Sequence, residues 1–226
     1  MPLLGKAAML LTFDVVDDAI REHDDWHTHE HLPERLSIPG FLRGTRWTAL
    51  RGQPRYCVIY EVEDLGTLTS AAYLERLNNP TPWTSRMMPH YRGMSRGFCS
   101  VVASHGKGLG HVGLLVRFGP GAGAAPALGA WLADQVLPAL PMQPGLGSVH
   151  LLEGAVAPQM TNEQRIRGAD AGVERALLVT GYDEAGVAAL ADGELSKAGL
   201  ELRGATGVTT SLYRTGFTLL AREVGA

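Results

Sequence analysis

Three histidines and a glutamate lie within the five residues His27-Thr28-His29-Glu30-His31. Imidazole titrates near neutral pH, so two histidines on one side of a helix are suited to taking a proton from a ligand and returning it. A carboxylate beside them can orient one ring, or act as a base when burial raises its pKa. We therefore expect proton-transfer chemistry, with His27, Glu30 and His31 as the candidate catalytic residues.

The same stretch also permits metal binding. His27 and His31 have the i, i+4 spacing at which two ring nitrogens reach one ion, and His-x-x-Glu-His is the pattern of inverted zinc peptidases. Such a peptidase needs a long continuous helix, but Pro33 follows within two residues. A zinc or iron site of another kind that uses His23, His27 and His31 stays open, although the preferred interpretation has no metal and no cofactor.

The composition is that of an ordinary globular protein. The 226 residues are 45% hydrophobic and 19% charged, enough to bury a sizeable core. The formal net charge of -3 predicts no nucleic-acid partner, and no apolar run approaches the roughly 20 residues of a membrane helix. Cys57 and Cys99 lie in apolar, strand-like runs, so we expect buried free thiols and a cytoplasmic protein.

The elements that must position these side chains occur twice in the chain. An offset of 105 residues pairs Gly5 with Gly110, Phe13 with Phe118, Trp26 with Trp131, Leu32-Pro33 with Leu137-Pro138, and Pro39-Gly40 with Pro144-Gly145. Further on, an offset of 119 pairs Asp64 with Asp183, and Gly97-Phe98 with Gly216-Phe217. The difference predicts an extra segment of 14 residues in the second half, in the polar stretch from 157 to 172.

Each half shows the element order βαββαβ, which is the ferredoxin-like pattern. This order places two helices on one face of a four-stranded antiparallel sheet. The prediction is an α+β protein with two tandem ferredoxin-like repeats, residues 1–105 and 106–226, joined at the glycine-rich stretch around Gly106. We expect the first repeat to carry the site and the second to be its structural partner.

The second repeat serves as an internal control for the histidines. At the offset of 105, the residues aligned with His23, His27 and His31 are Leu128, Leu132 and Val136. Aliphatic residues four apart form one stripe on a helix, and that stripe faces the sheet. The three histidines should therefore point inward, into a polar or water-filled cavity, because buried imidazoles without partners cost several kcal/mol.

Aromatic residues indicate what this cavity holds. Ten of the fifteen aromatic residues lie in the first repeat, which favours a pocket for a small hydrophobic or aromatic ligand. Facing strands could place Arg46 or Tyr60 to stabilise a developing oxyanion. The predicted ligand-binding residues are His23, Trp26, Phe41, Arg46, Tyr60 and Trp83, the last in a proline-containing loop that could cover the pocket.

The stretch from Trp26 to Trp47 resembles the signature of the EthD-like branch of the dimeric α/β-barrel superfamily. That signature has a Trp, a Glu-His pair, a Pro, and a Pro-Gly-Phe turn before a strand that bears Arg. The matching residues are Trp26, Glu30, His31, Pro33, Pro39, Gly40, Phe41, Arg43 and Arg46. The second repeat lacks the Glu-His pair, so no equivalent second site is expected.

This resemblance implies ferredoxin-like sheets that pair through a dimer to form a barrel, which two copies in one chain could close alone. It also implies a small enzyme without an organic cofactor that acts on aromatic or polyketide-like molecules. The rival interpretation is a protein that binds such a ligand without turning it over. A homodimer through exposed strand edges stays open.

Overall fold

The computed structural model describes residues 3–155 and 161–225. Its strands are β1 Ala7–Val15, β2 Phe41–Arg51, β3 Tyr56–Val62, β4 Tyr91–Gly106, β5 Val112–Pro120, β6 Leu146–Ala155, β7 Arg175–Gly181 and β8 Ala205–Leu220. The α-helices are α1 Ile20–Trp26, α2 Leu32–Leu36, α3 Ala71–Asn78, α4 Pro82–Met87, α5 Ala125–Trp131, α6 Asn162–Arg167, α7 Glu184–Ala189 and α8 Lys197–Leu202. One π-turn, His27–His31, joins α1 to α2, and a second, Leu132–Val136, follows α5.

The eight strands form one closed antiparallel barrel in the order β1-β3-β2-β8-β5-β7-β6-β4. Each half contributes four neighbouring strands, with its third strand between its first and second and its fourth beside its first. The pairs β2–β8 and β4–β6 join the halves. The predicted α+β fold with two ferredoxin-like repeats is therefore confirmed, and a single chain closes the barrel.

Strand alternation divides the buried residues between the barrel interior and the face under the helices. In β1, Ala8 and Leu10 belong to the interior cluster, whereas Met9 and Phe13 belong to the cluster beneath the helices of the first half. The second half has its own helix-covered cluster, in which aliphatic side chains predominate. Cys57 and Cys99 are buried free thiols, as predicted.

Strand positions test the predicted repeat offsets. The first strands begin at residues 7 and 112 and the third strands at 56 and 175, which reproduces the offsets of 105 and 119. The extra segment lies between β6 and β7, where it was expected, and residues 156–160 of this stretch are outside the described part. The division into residues 1–105 and 106–226 as site and partner stays a prediction.

The predicted pairing of Gly97-Phe98 with Gly216-Phe217 is wrong. Phe98 pairs with Met9 of β1, and the matching partner of Leu114 in β5 is Leu212. The last strands begin at residues 91 and 205, an offset of 114. The connection from β7 to β8 is shorter than the one from β3 to β4. The offset between the halves therefore falls from 119 at the third strands to 114 at the last strands.

None of the helices in the described part of the chain has the length and apolarity needed to cross a bilayer. A cytoplasmic location and a homodimer stay predictions.

Two equivalent glycines, Gly5 and Gly110, should be required for strand packing in both halves. A Cβ added at Gly5 would lie 1.8 Å from the carbonyl oxygen of Val62, and one added at Gly110 would lie 2.1 Å from that of Gly181. Backbone must shift to relieve either clash, so Gly5→Ala and Gly110→Ala should each lower the free energy of unfolding by about 2–4 kcal/mol. Urea denaturation measures the loss.

The matched control is Gly129→Ala, inside α5, where the nearest atom to an added Cβ is 3.5 Å away. Alanine is a better helix former than glycine, so this variant should be as stable as the wild type or more so. Equal stability of all three variants and the wild type would contradict the close-packing argument.

Candidate active site

The helix that carries the histidines is interrupted by a wider turn. The backbone N–H of Leu32 donates to the carbonyl of His27, five residues back, and in the second half Leu137 donates to Leu132 at 2.9 Å. Because both halves contain this π-turn, it belongs to the fold and not to the histidine motif alone. In an α-helix, each residue is rotated about 40° around the axis relative to the residue four positions earlier. The wider turn reduces this rotation, so that His23, His27 and His31, the histidine stripe, stay on one side of the helix.

The histidine stripe faces the sheet, as its alignment with the second half predicts. His23, His27 and His31 have exposed fractions of 0%, 2% and 8%. Their ring centroids follow one another at 5.4 and 5.6 Å. His29 is exposed, and its Nδ1 lies 2.9 Å from the carbonyl of Asp25.

A small cavity lies between this helix and the sheet of the first half. Its volume is about 30 Å³, room for about two water molecules. Aromatic and apolar side chains from β1, β3, α3 and β4 form most of its wall. The lining residues are Met9, Leu11, Phe13, His27, His31, Arg35, Val58, Tyr60, Tyr73, Leu77, Tyr91, Arg96, Glu163 and Arg167.

Four polar atoms in this wall have no hydrogen-bond partner among residues 3–155 and 161–225. They are Nδ1 of His27, Nδ1 of His31, the hydroxyl of Tyr60 and Nη2 of Arg96, and all four are buried. Folded proteins satisfy almost every buried polar group, since an unsatisfied one costs about 1–3 kcal/mol. Such a concentration around one cavity identifies a place where a ligand or water completes the hydrogen bonding.

The extra segment of the second half closes one side of the cavity. Arg35, at the end of the histidine helix, forms a short ion pair with Glu163 of α6. Further along, Asp170 accepts from Arg167 Nη2 at 2.7 Å and from Arg96 Nε at 3.0 Å. The backbone N–H of Arg96 donates to Ala171 at 2.8 Å, so the segment is attached to β4 as well.

Burial keeps the imidazoles neutral at physiological pH. It lowers the pKa of His27 well below the usual value, and the charges of His23 and Arg46 lower it further. Burial likewise lowers the pKa of His31, with Arg35 as the next cause. Burial also raises the pKa of Tyr60, so its hydroxyl is a proton donor at neutral pH.

Glu30 lies outside this cavity, on the side of the helix that faces α4. Its Oε1 accepts from Trp26 Nε1 at 3.1 Å and from the hydroxyls of Thr81 at 2.5 Å and Thr84 at 3.4 Å. Thr81 is the N-cap of α4. Glu30 therefore ties two helices together, and Glu163 supplies the carboxylate of the cavity wall in its place.

The other predicted residues divide into those behind the wall and those away from it. Trp26 is fully buried with its ring 4.4 Å from that of His31, and Phe41 packs behind Tyr60 at 5.9 Å. His23 backs His27, with its Nε2 3.4 Å from the hydroxyl of Tyr91.

Arg46 and Trp83 do not line the cavity. Arg46 donates to the carbonyl of Asp24 at 3.1 Å and lies over Phe217. Trp83 donates to Glu22 at 3.1 Å near the surface. Only His27, His31 and Tyr60 of the nine predicted site residues are in the wall itself.

The sequence interpretation missed all four charged residues of the wall, Arg35, Arg96, Glu163 and Arg167. Arg35 continues the stripe of His23, His27 and His31 at the same spacing of four, and this signal was available. Arg96 is a lone charge within an apolar strand run. Glu163 and Arg167 come from the second half, and no local pattern connects them to the histidines.

The metal alternative required His23, His27 and His31 to converge on one ion. Within residues 3–155 and 161–225, no group of three or more His, Cys, Asp or Glu side chains is arranged to hold a metal ion. Both ring nitrogens of His23 lie near other polar groups, Nδ1 at 3.2 Å from Asp24 and Nε2 near Tyr91.

Comparison with known proteins supports the fold. No family model and no curated protein matches the sequence. An anthrone oxidase-like protein is similar in structure, with a TM-score of 0.70 and 11% identity over 100% of this chain and 98% of that one. A monooxygenase-like protein from Fusobacterium nucleatum has a TM-score of 0.60 and 9% identity, covering 96% of both chains.

A third neighbour, a monooxygenase-like protein from Lactobacillus acidophilus, has a TM-score of 0.59 and 8% identity over 95% of this chain and 96% of that one. Identities this low show a shared fold only, that of the ferredoxin-like α/β barrels. The narrower resemblance to the EthD-like branch stays a prediction.

The second half suggests a variant that removes both unpartnered imidazoles without opening a void. His27→Leu with His31→Val installs the residues aligned at Leu132 and Val136, which pack in the second half. Removing two buried unsatisfied polar groups should raise the free energy of unfolding at pH 7 by about 1–3 kcal/mol. Chemical denaturation of the double variant and of the control His29→Ala measures the difference.

The same variant should weaken the pH dependence of stability. Folding lowers the pKa of His27 and His31, so the unfolded chain binds more protons below about pH 6.5 and the wild type loses stability as the pH falls. Each histidine contributes up to about 1.4 kcal/mol per pH unit. The advantage of the double variant should therefore grow from pH 7 to pH 5, and a constant difference would contradict the burial of two neutral imidazoles.

Proposed function

We propose that this protein is a small cofactor-independent enzyme that moves a proton on an aromatic or otherwise hydrophobic ligand. The ligand site is the cavity between the histidine helix and the sheet of the first half. The observation that carries this proposal is the pair of neutral imidazoles of His27 and His31 in the cavity wall, whose Nδ1 atoms have no partner in the described part of the chain. Such nitrogens are proton acceptors and hydrogen-bond donors without a competing partner.

In the proposed reaction, one imidazole accepts a proton from an activated carbon or hydroxyl of the ligand. The negative charge that develops on the ligand oxygen receives a hydrogen bond from Tyr60 and lies near the guanidinium groups of the wall. The negative charge on the ligand stabilises the imidazolium formed at the same step. This stabilisation offsets the low pKa that the histidine has in the protein without ligand. The imidazolium then returns this proton to the ligand at a different position, which leaves both imidazoles neutral again.

Residues outside the wall act by positioning. Glu30 holds the indole of Trp26 through Nε1, and this indole lies against the ring of His31. Phe41 supports Tyr60 from behind. We assign these residues, together with His23, to fixing the orientation of the proton carriers, and not to contact with the ligand.

The cavity is smaller than an aromatic ligand. Space for about two waters holds only a fragment of an aromatic ring, so the wall must open when a ligand enters. One side is closed by the charged contacts of α6, whereas Met9, Leu11 and Leu77 are flexible apolar groups that can change rotamer. The aromatic rings of Phe13, Tyr60, Tyr73 and Tyr91 suit a planar ligand.

The structural neighbours suggest the first ligands to try. One of them is an anthrone oxidase-like protein, and anthrone is an aromatic ketone whose C–H proton is acidic because the resulting anion is delocalised. Enolisable aromatic ketones of rising size, from phenylacetone to anthrone, therefore serve as probes.

Proton transfer should appear as exchange of the acidic C–H of a probe with D2O, followed by mass spectrometry. The wild type should accelerate exchange for at least one ketone, and His27→Leu with His31→Val should reduce the enzymatic rate by about 100-fold or more. His29→Ala, a histidine in the same turn that points to solvent, should exchange at the wild-type rate.

If the double variant and the wild type exchange every ketone at equal rates, the acid-base role is refuted.

A second candidate function is a binding protein without turnover. One observation favours it: burial lowers the pKa of both histidines well below neutrality, which makes them weak bases. Calorimetric binding of a ketone that the protein does not exchange would support that candidate.

A further inference from the structure

Six buried or partly buried charges run in alternation along the side of the cavity closed by α6. Glu34 contacts Arg35 at 3.2 Å, and Arg35 pairs with Glu163. Glu163 Oε2 lies 3.9 Å from Arg167. From there Asp170 binds both Arg167 and Arg96, as described above.

The charges that face the cavity are unbalanced. Four of the six line it, namely Arg35, Arg96, Arg167 and Glu163, while Glu34 and Asp170 do not. The wall therefore presents three guanidinium groups and one carboxylate. Glu34 and Asp170 balance the other two charges from behind the wall, but the groups at the cavity surface are mainly guanidiniums, and these favour an anionic ligand group where water is excluded.

Arg96 is the guanidinium with capacity left for a ligand. Its side chain is 3% exposed and its Nε binds Asp170 at 3.0 Å, whereas its buried Nη2 has no partner within the described residues. The guanidinium lies over the Phe98 ring, 5.1 Å from its centre. A carboxylate or phenolate oxygen in the cavity would supply the missing acceptor in a charge-assisted hydrogen bond.

We propose that the cavity selects ligands with one anionic oxygen group, which Arg96 binds, and that Glu163 limits the ligand to that single charge. The inference rests on the site of the proposed function and names its substrate class, an aromatic molecule that carries a single negative charge on oxygen after proton transfer; aromatic monoanions mimic that state. Glu163 is a specificity-determining residue in this scheme. Its carboxylate already holds Arg35 and lies close to Arg167, so two of the three cationic groups are engaged before the ligand arrives.

A second carboxylate on the ligand would meet Glu163 instead of a free cation. Two carboxylates close together in a site that excludes water repel strongly, and the buried Glu163 cannot move into solvent without breaking its ion pair with Arg35. Removing the charge of Glu163 would leave Arg35 with Glu34 and Arg167 with Asp170 as their remaining carboxylate partners, and the wall would gain one uncompensated positive charge. The preference should then shift from monoanions to dianions.

Three small probes of similar shape separate these effects: benzoate, its neutral analogue benzamide, and the dianion isophthalate. Isothermal titration calorimetry at constant ionic strength gives the affinity of each. For the wild type we expect benzoate to bind more tightly than benzamide and isophthalate. Equal binding of benzoate and benzamide, or no binding of benzoate, overturns the proposal.

Two substitutions then assign the roles. Arg96→Gln should weaken benzoate binding by about tenfold or more and leave benzamide unchanged. Glu163→Gln should raise the affinity ratio of isophthalate to benzoate by about tenfold or more. An unchanged ratio in Glu163→Gln overturns the charge limit, and unchanged benzoate binding in Arg96→Gln overturns the assignment of Arg96.

Matched controls alter the same charges away from the cavity. Arg165→Gln removes a positive charge from the exposed side of α6, and Glu184→Gln removes a negative charge from a surface ion pair with Arg214. Both should bind all three probes as the wild type does. If Arg96→Gln does not fold, Arg96→Lys keeps the charge beside Asp170 but cannot reproduce the fork of the guanidinium, and it should also weaken benzoate binding.

Failure of this inference is distinguishable from failure of the proposed function. Benzoate selectivity that depends on Arg96, in a protein that exchanges none of the ketones, supports the anion site and rejects proton transfer. Ketone exchange that depends on His27 and His31, in a protein that does not distinguish benzoate from benzamide, supports proton transfer and rejects the anion site.

Discussion

The ion pair between Arg35 and Glu163 connects the two halves at the point where the cavity forms. Their side chains are 1% and 3% exposed, and burying either charge alone costs several kcal/mol. The extra segment of the second half must therefore lie over the end of the histidine helix. Once it does, Arg167 and Asp170 come into reach of β4, and the cavity gains a charged side that the first half does not possess alone.

The arginines of this charged side disfavour a positive charge on the histidines, and an anionic ligand between them would remove that conflict. Burial and the nearby arginines both favour the neutral imidazole. An anion among those arginines offsets their charge and favours the imidazolium. Proton transfer to His27 or His31 and stabilisation of a negative ligand are thus one coupled event, which is why the two proposals concern the same cavity.

The two halves show that one backbone can be either a site or a core. Both contain the π-turn, and both place residues four apart against their sheet. The second half fills these positions with Leu128, Leu132 and Val136, and most of the side chains in its core are aliphatic. The first half fills them with imidazoles, which cannot be satisfied by a sheet whose backbone groups are already paired. A polar cavity is the consequence of that substitution.

The sequence by itself determined the repeated fold, the inward stripe of His23, His27 and His31, and the position of the extra segment, because periodicity and internal alignment are local patterns. It could not place the side chain of Glu30, since a carboxylate beside a histidine in sequence can lie on another side of the helix, where Trp26 and Thr81 bind it. Only the tertiary structure decided that Glu163 and Arg167 complete the wall and that Arg96 has a nitrogen unpartnered. Those facts depend on ion pairs between residues up to 128 positions apart, and the pairing of distant charges follows from the closure of the barrel, which no local pattern records.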